Sequence, residues 1–277
     1  MSVAVLVTGA TGTVGRHVVD GLVRAGASVH ALTRTPERAG LPAGVTVFRG
    51  DLEDPDTLRT ALSGVDRLYL FPVPETAEAV AGMAREAGVR HIVTLSSISA
   101  GYNSGDFSGD HHRAVEKAVE ASGLEWTHVR PGEFMANVVN WAPAVQDENV
   151  VREPFGEAPS VMVHEADIAE VAVEALTGEG HAGAVYSLTG PQVLTKRDQV
   201  RTLAEVLDRD IVFEELTPQQ ARQRWLDRGV PAEVADWLTQ PPAEHAVVGP
   251  TATEVTGRPA RTFAQWVADH RADFAPA

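Results

Sequence analysis

Cysteine is absent from all 277 residues, which excludes a disulfide framework, a thiolate metal site and a thiol nucleophile. The absence is compatible with a reducing compartment, and a cytoplasmic protein is expected. Positive charge is scarce: 23 Lys and Arg stand against 38 Asp and Glu, for a formal charge of −15. So acidic a chain repels phosphate backbones and anionic membranes unless a local basic patch is gathered. None stands out, so neither nucleic acid nor a membrane is expected as a partner. Long hydrophobic runs are also missing, and nothing approaches the roughly 18 apolar residues that span a bilayer. Met1 to Val7 is apolar, but it lacks a cationic segment and is cut off at once by Thr8-Gly9, so it reads as a strand and not a signal peptide. There is no internal repeat, and the oligomeric state has no signature in the sequence.

What is present is an alternation of strands and helices. Val3-Ala4-Val5-Leu6-Val7 is a continuous apolar run of the kind buried on both faces of a parallel sheet. Val14, Val18, Val19, Leu22 and Val23 then recur at helical spacing, and Gly26 sits where that helix would end. Further strands are expected at 29–32, 45–48, 68–71, 92–95 and 126–130, with helices at 56–62, 76–87 and 111–121 between them. This rhythm predicts an α/β fold with a Rossmann-type, doubly wound parallel sheet. After Pro131 it loosens. Residues 135–160 read as an irregular excursion containing Trp141, followed by a helix at 168–176 for which Asp167 is a natural cap. A strand at 185–188 and helices at 198–207, 218–226, 231–238 and 263–270 complete the chain. The layout expected is a dinucleotide-binding core over 1–134, completed by 161–190. Residues 135–160 and 191–277 would then form a substrate-covering excursion and a small, mainly helical C-terminal lobe.

The strongest motif stands between the first strand and the first helix: Thr8-Gly9-Ala10-Thr11-Gly12-Thr13-Val14-Gly15. Gly9 permits a tight turn, Gly12 lets backbone approach a pyrophosphate, and Gly15 lets the helix pack closely. The amides of Thr11, Thr13 and Val14 lie where a helix N-terminus attracts phosphate. A tight strand-to-helix turn without a ligand would need similar glycines, but the position is the one the fingerprint requires. The end of the second strand selects the cofactor. An NAD site places an acid there for the ribose 2′-hydroxyl; residues 28–36 contain none, and Thr33-Arg34-Thr35 end the strand. A guanidinium at Arg34 would pair with a 2′-phosphate, so NADP(H) is expected over NAD(H). Otherwise Arg34 is a solvated surface residue. Asp51-Leu52 are placed to touch the adenine, although Asp51 also suits a turn beside Gly50.

These residues, with Ser96-Ser97 and the stretch Ser122-Gly123-Leu124 to Arg130-Pro131-Gly132, resemble the atypical short-chain dehydrogenase/reductases, and among them the NmrA-like proteins that include NADPH-dependent quinone reductases. His164 to Ile168 and Leu188-Thr189-Gly190-Pro191 extend the likeness over most of residues 3–210. The resemblance implies NADP(H) binding, with Phe71, Pro72, Val73, Pro131 and Gly132 near the nicotinamide end and Ser96 a further cofactor contact. It also implies a catalytic Ser, Tyr and Lys, and here the chain departs. Aligned on Glu116, the Lys position holds His112 and the Tyr position holds Ser108. His112 is therefore the candidate ribose contact or proton donor, with Glu116 one turn on to orient it; alternatively the pair only orders the helix. On the same wheel Ala114, Val115, Ala118, Val119 and Ser122 face inward, and Arg113 and Lys117 face solvent. Ser97 is the candidate serine. Tyr102, in a glycine- and polar-rich loop over 101–110, is a further candidate donor. No spacing suggests a metal: His111 and His112 do not share a helix face. Trp141, Trp225, Trp237 and Trp266 read as packing, with Trp141 able to roof a substrate.

Two functions follow. One is an NADPH-dependent oxidoreductase that reduces a carbonyl or quinone of an apolar small molecule without the usual Tyr-Lys pair. The other is a non-catalytic NADP(H)-sensing regulator of NmrA type. Sugar-nucleotide epimerisation needs the missing pair and is disfavoured.

Overall fold

A computed structural model describes residues 2–102, 107–240 and 246–276. In chain order the first elements are β1 (Ala4–Val7), α1 (Gly15–Arg24), β2 (Ser28–Thr33), β3 (Thr46–Arg49), β4 (Arg67–Leu70), α2 (Ala77–Glu86), β5 (His91–Leu95), α3 (Phe107–Ala121) and β6 (Glu125–Pro131). Next come α4 (Ala142–Glu148), β7 (Val150–Glu153), β8 (Pro159–Ser160), α5 (Glu165–Thr177) and β9 (Ala184–Leu188). The remainder is β10 (Leu194–Thr195), α6 (Lys196–Leu207), β11 (Val212–Glu215), α7 (Pro218–Asp227), α8 (Ala232–Leu238), α9 (Thr253–Thr256) and α10 (Phe263–Asp269). The chain divides into two compact units. The first is Met1–Gly132, Glu165–Leu188 and Pro250–Pro259; the second is Glu133–His164, Thr189–Gly249 and Ala260–Ala277. The segment Pro250–Pro259, read from sequence with the C-terminal lobe, thus groups with the first unit.

In the first unit a seven-stranded, all-parallel sheet runs in the order β3-β2-β1-β4-β5-β6-β9. This is the doubly wound Rossmann arrangement, in which the strand order reverses beside β1 and opens a crevice at the strand ends. The central strands are mostly apolar because helices cover both faces. Val5, Leu6, Val7, Leu68, Ile92 and Val93 are fully buried. Helices α1 and α5 pack together over the sheet, as do α2 and α3. The helix expected at 56–62 is instead a 3₁₀ turn at Pro55–Leu58; Leu58 within it and Leu62 after it are still buried.

The second unit has its own core, built from Met135, Val138, Val145, Leu203, Phe263 and Trp266 among others. Trp266 stacks between Phe263, 5.7 Å away, and His270, 4.2 Å away. The unit is less purely helical than its sequence suggests. The excursion contains a 3₁₀ segment at Met135–Trp141 and α4, and β7 pairs in parallel with β11, Val150 opposite Val212. Neither strand was legible in sequence. Each offers only two apolar residues before charged ones, and such short strands are strands because of their partners. Arg152 on β7 pairs with Glu214 on β11 at 2.6 Å.

Candidate functional site

The glycine turn leaves β1 through Thr8, a fully buried residue that ties two strand ends. Its amide and hydroxyl both donate to the Tyr69 carbonyl, at 3.0 and 2.9 Å, and its oxygen accepts from the Phe71 amide at 2.8 Å. Gly9 then adopts φ of +59°, where a side chain is strained. At Gly15 a Cβ would stand 2.1 Å from the Gly9 carbonyl oxygen, so only glycine lets α1 start this close to the turn. The start of α1 has no capping side chain and no acid in its first turn. The Gly12 and Arg16 amides donate to the Gly9 and Gly12 carbonyls, at 2.9 and 3.1 Å, whereas those of Thr13, Val14 and Gly15 make no hydrogen bond among the described residues and are left for an anion. Arg16 braces the turn, donating to the Thr11 carbonyl at 3.2 Å and to Ala39 and Gly40 carbonyls beyond β2.

A cavity of about 370 Å³ opens beside this turn. Gly9, Thr11, Gly12, Arg34, Asp51, Leu52, Phe71 and Val73, all named from sequence, line it together, and Leu32, Thr33, Gly50 and Glu53 complete it. Val14 is buried at the foot of α1, Thr13 is exposed, and Pro72 is half-buried between Phe71 and Val73. Arg34 is exposed, and its carbonyl accepts from Arg49 Nη1 at 2.6 Å. Arg49 also pairs with Glu37 at 2.8 Å, so the acid nearest Arg34 in sequence is engaged by a different arginine. Sequence reading overlooked Arg49, Arg16 and Thr8. The first threonine of a Thr-Gly turn was a readable signal; the arginines act across long sequence gaps. Asp51 also has the turn role considered for it, its Oδ1 accepting from the Glu53 amide at 3.1 Å.

The catalytic candidates are arranged differently from expectation. Glu116 is buried, 2% exposed, and accepts from Ser96 Oγ at 2.5 Å, Arg130 Nε at 2.8 Å and Arg130 Nη2 at 2.6 Å. Burial opposes its charge, but the hydrogen bonds from Arg130 and Ser96 outweigh burial and hold the carboxyl below its usual range. Glu116 is therefore committed to joining α3 to β6, not to orienting His112, and the Ser96 hydroxyl is committed with it. His112 is oriented by its own helix: Nδ1 lies 2.8 Å from the Ser108 carbonyl and must donate to it, which leaves Nε2 as the acceptor of the neutral ring. Ser97 Oγ lies 2.8 Å from Ser99 Oγ, which donates to Ser108 Oγ at 3.2 Å. A chain of three hydroxyls thus reaches α3 one turn before His112.

Three further expectations are corrected. Val115, Glu116, Val119 and Ser122 are buried while Ala114 is exposed, so the inward stripe is rotated toward His112. The small alanines were weighted as core although they pack equally well at a surface. Arg113 does not face solvent: Nε donates to the Ala100 carbonyl at 3.1 Å and Nη1 to Asp110 at 2.8 Å, and Nη2 donates to the Tyr102 carbonyl. It fixes the 3₁₀ turn Ile98–Gly101 against α3. The expected loop over 101–110 is shorter than predicted, since α3 begins at Phe107; residues 103–106 lie outside the described residues. Tyr102 is 59% exposed. Pro131 is buried at the end of β6, and the Gly132 amide donates to the Leu188 carbonyl at 2.9 Å. Among the described residues no cluster of His, Asp and Glu could hold a metal, and no helix is long and apolar enough to cross a membrane.

Residues 9–179 match the family described as NAD(P)H-binding. A (4-alkanoyl-5-oxo-2,5-dihydrofuran-3-yl)methyl phosphate reductase from Streptomyces griseus is 43% identical, over 98% of this chain and 99% of its own length. An NAD(P)H azoreductase from Xenophilus azovorans is 37% identical, over 99% of this chain and 100% of its own. Among solved structures, an NADPH-dependent quinone oxidoreductase from Escherichia coli, complexed with NADPH, superposes with a TM-score of 0.81 at 26% identity, covering 96% of this chain and 99% of that one. The chain belongs to the NAD(P)H-binding family, as an NAD(P)H-dependent reductase of the atypical short-chain dehydrogenase/reductase type.

Proposed function

We propose that the protein is an NADPH-dependent reductase that transfers hydride to the carbonyl or quinone system of a small, mostly apolar molecule in the cytoplasm. The observation that carries this reading is the single cavity uniting the glycine turn with Arg34 and Asp51. The bound dinucleotide supplies the hydride; every other task falls to the chain. The amides of Thr11, Thr13 and Val14 and the uncapped start of α1 hold the pyrophosphate, and Gly9 and Gly12 let it approach. Arg34 grips the 2′-phosphate, and Asp51 and Leu52 touch the adenosine. Phe71, Pro72, Val73, Pro131 and Gly132 line the nicotinamide end. His112, with Nδ1 anchored on Ser108, presents Nε2 to the ribose or to a proton in transit, and Ser97 is the hydroxyl closest in role to the family serine. Tyr102 is a secondary donor.

The substrate class follows from the missing Tyr-Lys pair. A quinone is a two-electron acceptor whose reduced form is stabilised by aromaticity, so it needs less help from a proton donor than an isolated ketone does. The relatives' names support this: the furanone, azo and quinone acceptors they contain are all conjugated. Those names are reductases, which favours the enzyme over a cofactor-sensing regulator. Following NADPH absorbance with a panel of quinones and conjugated ketones tests the proposal. Oxidation that depends on added acceptor is expected; tight binding of both cofactor forms without turnover across the panel would overturn it. His112→Gln is expected to lower kcat by ten- to a hundredfold with NADPH affinity changed by a smaller factor, and unchanged turnover would remove His112 from the reaction.

A further inference from the structure

The second unit holds a cavity of its own, of about 530 Å³, within the range of small-molecule pockets. Trp141, Trp225, Val138, Val230 and Leu238 give it an aromatic and apolar wall. Part of its polar lining is already committed. Glu153 Oε1 accepts from Trp141 Nε1 at 3.1 Å, and Oε2 lies 3.6 Å from Lys196 Nζ, so this acid and this base offset each other. Gln199 is buried and donates to Ser160 Oγ at 3.0 Å. Glu133 is accessible but set deep, and burial pushes its carboxyl above the usual range, Lys196 and Ser160 opposing.

Two cations are not committed. Arg228 lines this cavity, and a smaller cavity beside it is lined by Arg224, Arg228, Asn140 and Trp141. Among the described residues neither guanidinium makes a hydrogen bond or ion pair, although acids outnumber bases by 15 in this chain. Neighbouring Arg152, by contrast, is held by Glu148 at 2.7 Å and by Glu214 at 2.6 Å. Arg224 and Arg228 stand four residues apart, where like charges repel. Burial, and then the charge of Arg228, lower the pKa of Arg224, while Glu153 and Glu148 oppose the shift from beyond ion-pair distance.

We propose that this cavity binds an aromatic oxyanion: a small molecule whose flat body lies among Trp141, Trp225 and Leu238, and whose carboxylate or phosphate monoester is gripped by Arg224 and Arg228. The guanidinium forks match either oxyanion bidentately, and an anion between them removes their mutual repulsion. The aromatic wall supplies the apolar contact. The proposal does not depend on the reductase reading, because it concerns binding and not turnover.

The test uses the full-length protein with 2-naphthyl phosphate, 2-naphthoate and 2-naphthol, followed by tryptophan fluorescence and calorimetry. At least one anion is expected to bind ten times or more tightly than 2-naphthol, a difference of about 1.4 kcal/mol. The stronger anion identifies which oxyanion is preferred. In the double variant Arg224→Gln/Arg228→Gln that advantage should fall at least tenfold, with 2-naphthol changed less than twofold. Arg228→Gln alone should lose part of it. NADPH affinity, measured in parallel, should stay unchanged and shows that the variants are folded. Naphthol binding as tightly as both anions, no binding by any of the three, or anion binding unaffected in the double variant would each overturn the proposal.

Discussion

At the scale of single residues, the site rests on polar groups whose partners are far away in sequence. Thr8 joins β1 to the end of β4 through three hydrogen bonds and so sets the position of Phe71. Thr8→Val keeps the shape and removes the hydroxyl. It should cost about 1–2 kcal/mol in a urea titration, through the unmade bond to the Phe71 amide, and should weaken NADPH binding by calorimetry. Glu116 is a sharper case. Glu116→Gln leaves Arg130 without its counter-charge and should destabilise the fold by about 3 kcal/mol at pH 7. Because the folded-state pKa of Glu116 is depressed, the ion pair contributes in full above the unfolded value of about 4.3 and fades as the pH falls through the folded value. The stability gap between wild type and variant should therefore narrow in acid, measured as the urea midpoint at pH 7 and at pH 3.5. A gap independent of pH would show that Glu116 is not charged in the folded protein. The sequence placed a glutamate on the correct helix but assigned it the wrong partner. His112 lies four residues away and was the visible candidate, whereas Arg130 is reached only when β6 lies alongside α3.

At the scale of elements, spacing was informative wherever an element is long and covered on both faces. The strands of the seven-stranded sheet were legible from their apolar and β-branched residues and from their alternation with helices, each within a residue or two of its observed ends, and the glycine turn was legible because its position between β1 and α1 is fixed. Legibility failed where an element is short or made by its partner: β7 and β11, the paired β8 and β10, and the 3₁₀ turn in place of a helix at Pro55–Leu58. It failed also on α3, where alanines do not report which side is inward. The turn itself offers a direct element-level test. Gly15→Ala would place a Cβ 2.1 Å from the Gly9 carbonyl oxygen, and a backbone atom cannot rotate away as a side chain can. α1 must then shift from the turn, at a cost of about 1–3 kcal/mol, with loss of NADPH binding. Gly82→Ala in α2, where no atom lies within 4 Å of the new Cβ, is the control. It should be neutral or stabilising by up to about 1 kcal/mol in thermal melts.

At the scale of the whole molecule, a strongly acidic chain binds a strongly anionic cofactor, and its net charge of −15 works against that task. Local devices must overcome it: an uncapped helix start, a turn that exposes backbone amides, and a guanidinium at the end of β2. In the reading proposed above the first two serve any dinucleotide, and Arg34 is the group that would distinguish NADPH from NADH. The central claim is therefore tested most directly by titrating both reduced cofactors into wild type and Arg34→Ala and following each by calorimetry. The account predicts that wild type binds NADPH at least tenfold more tightly than NADH, and that the variant loses most of this preference by weakening NADPH alone. Equal affinity for the two in wild type, or a preference that survives in Arg34→Ala, would contradict it.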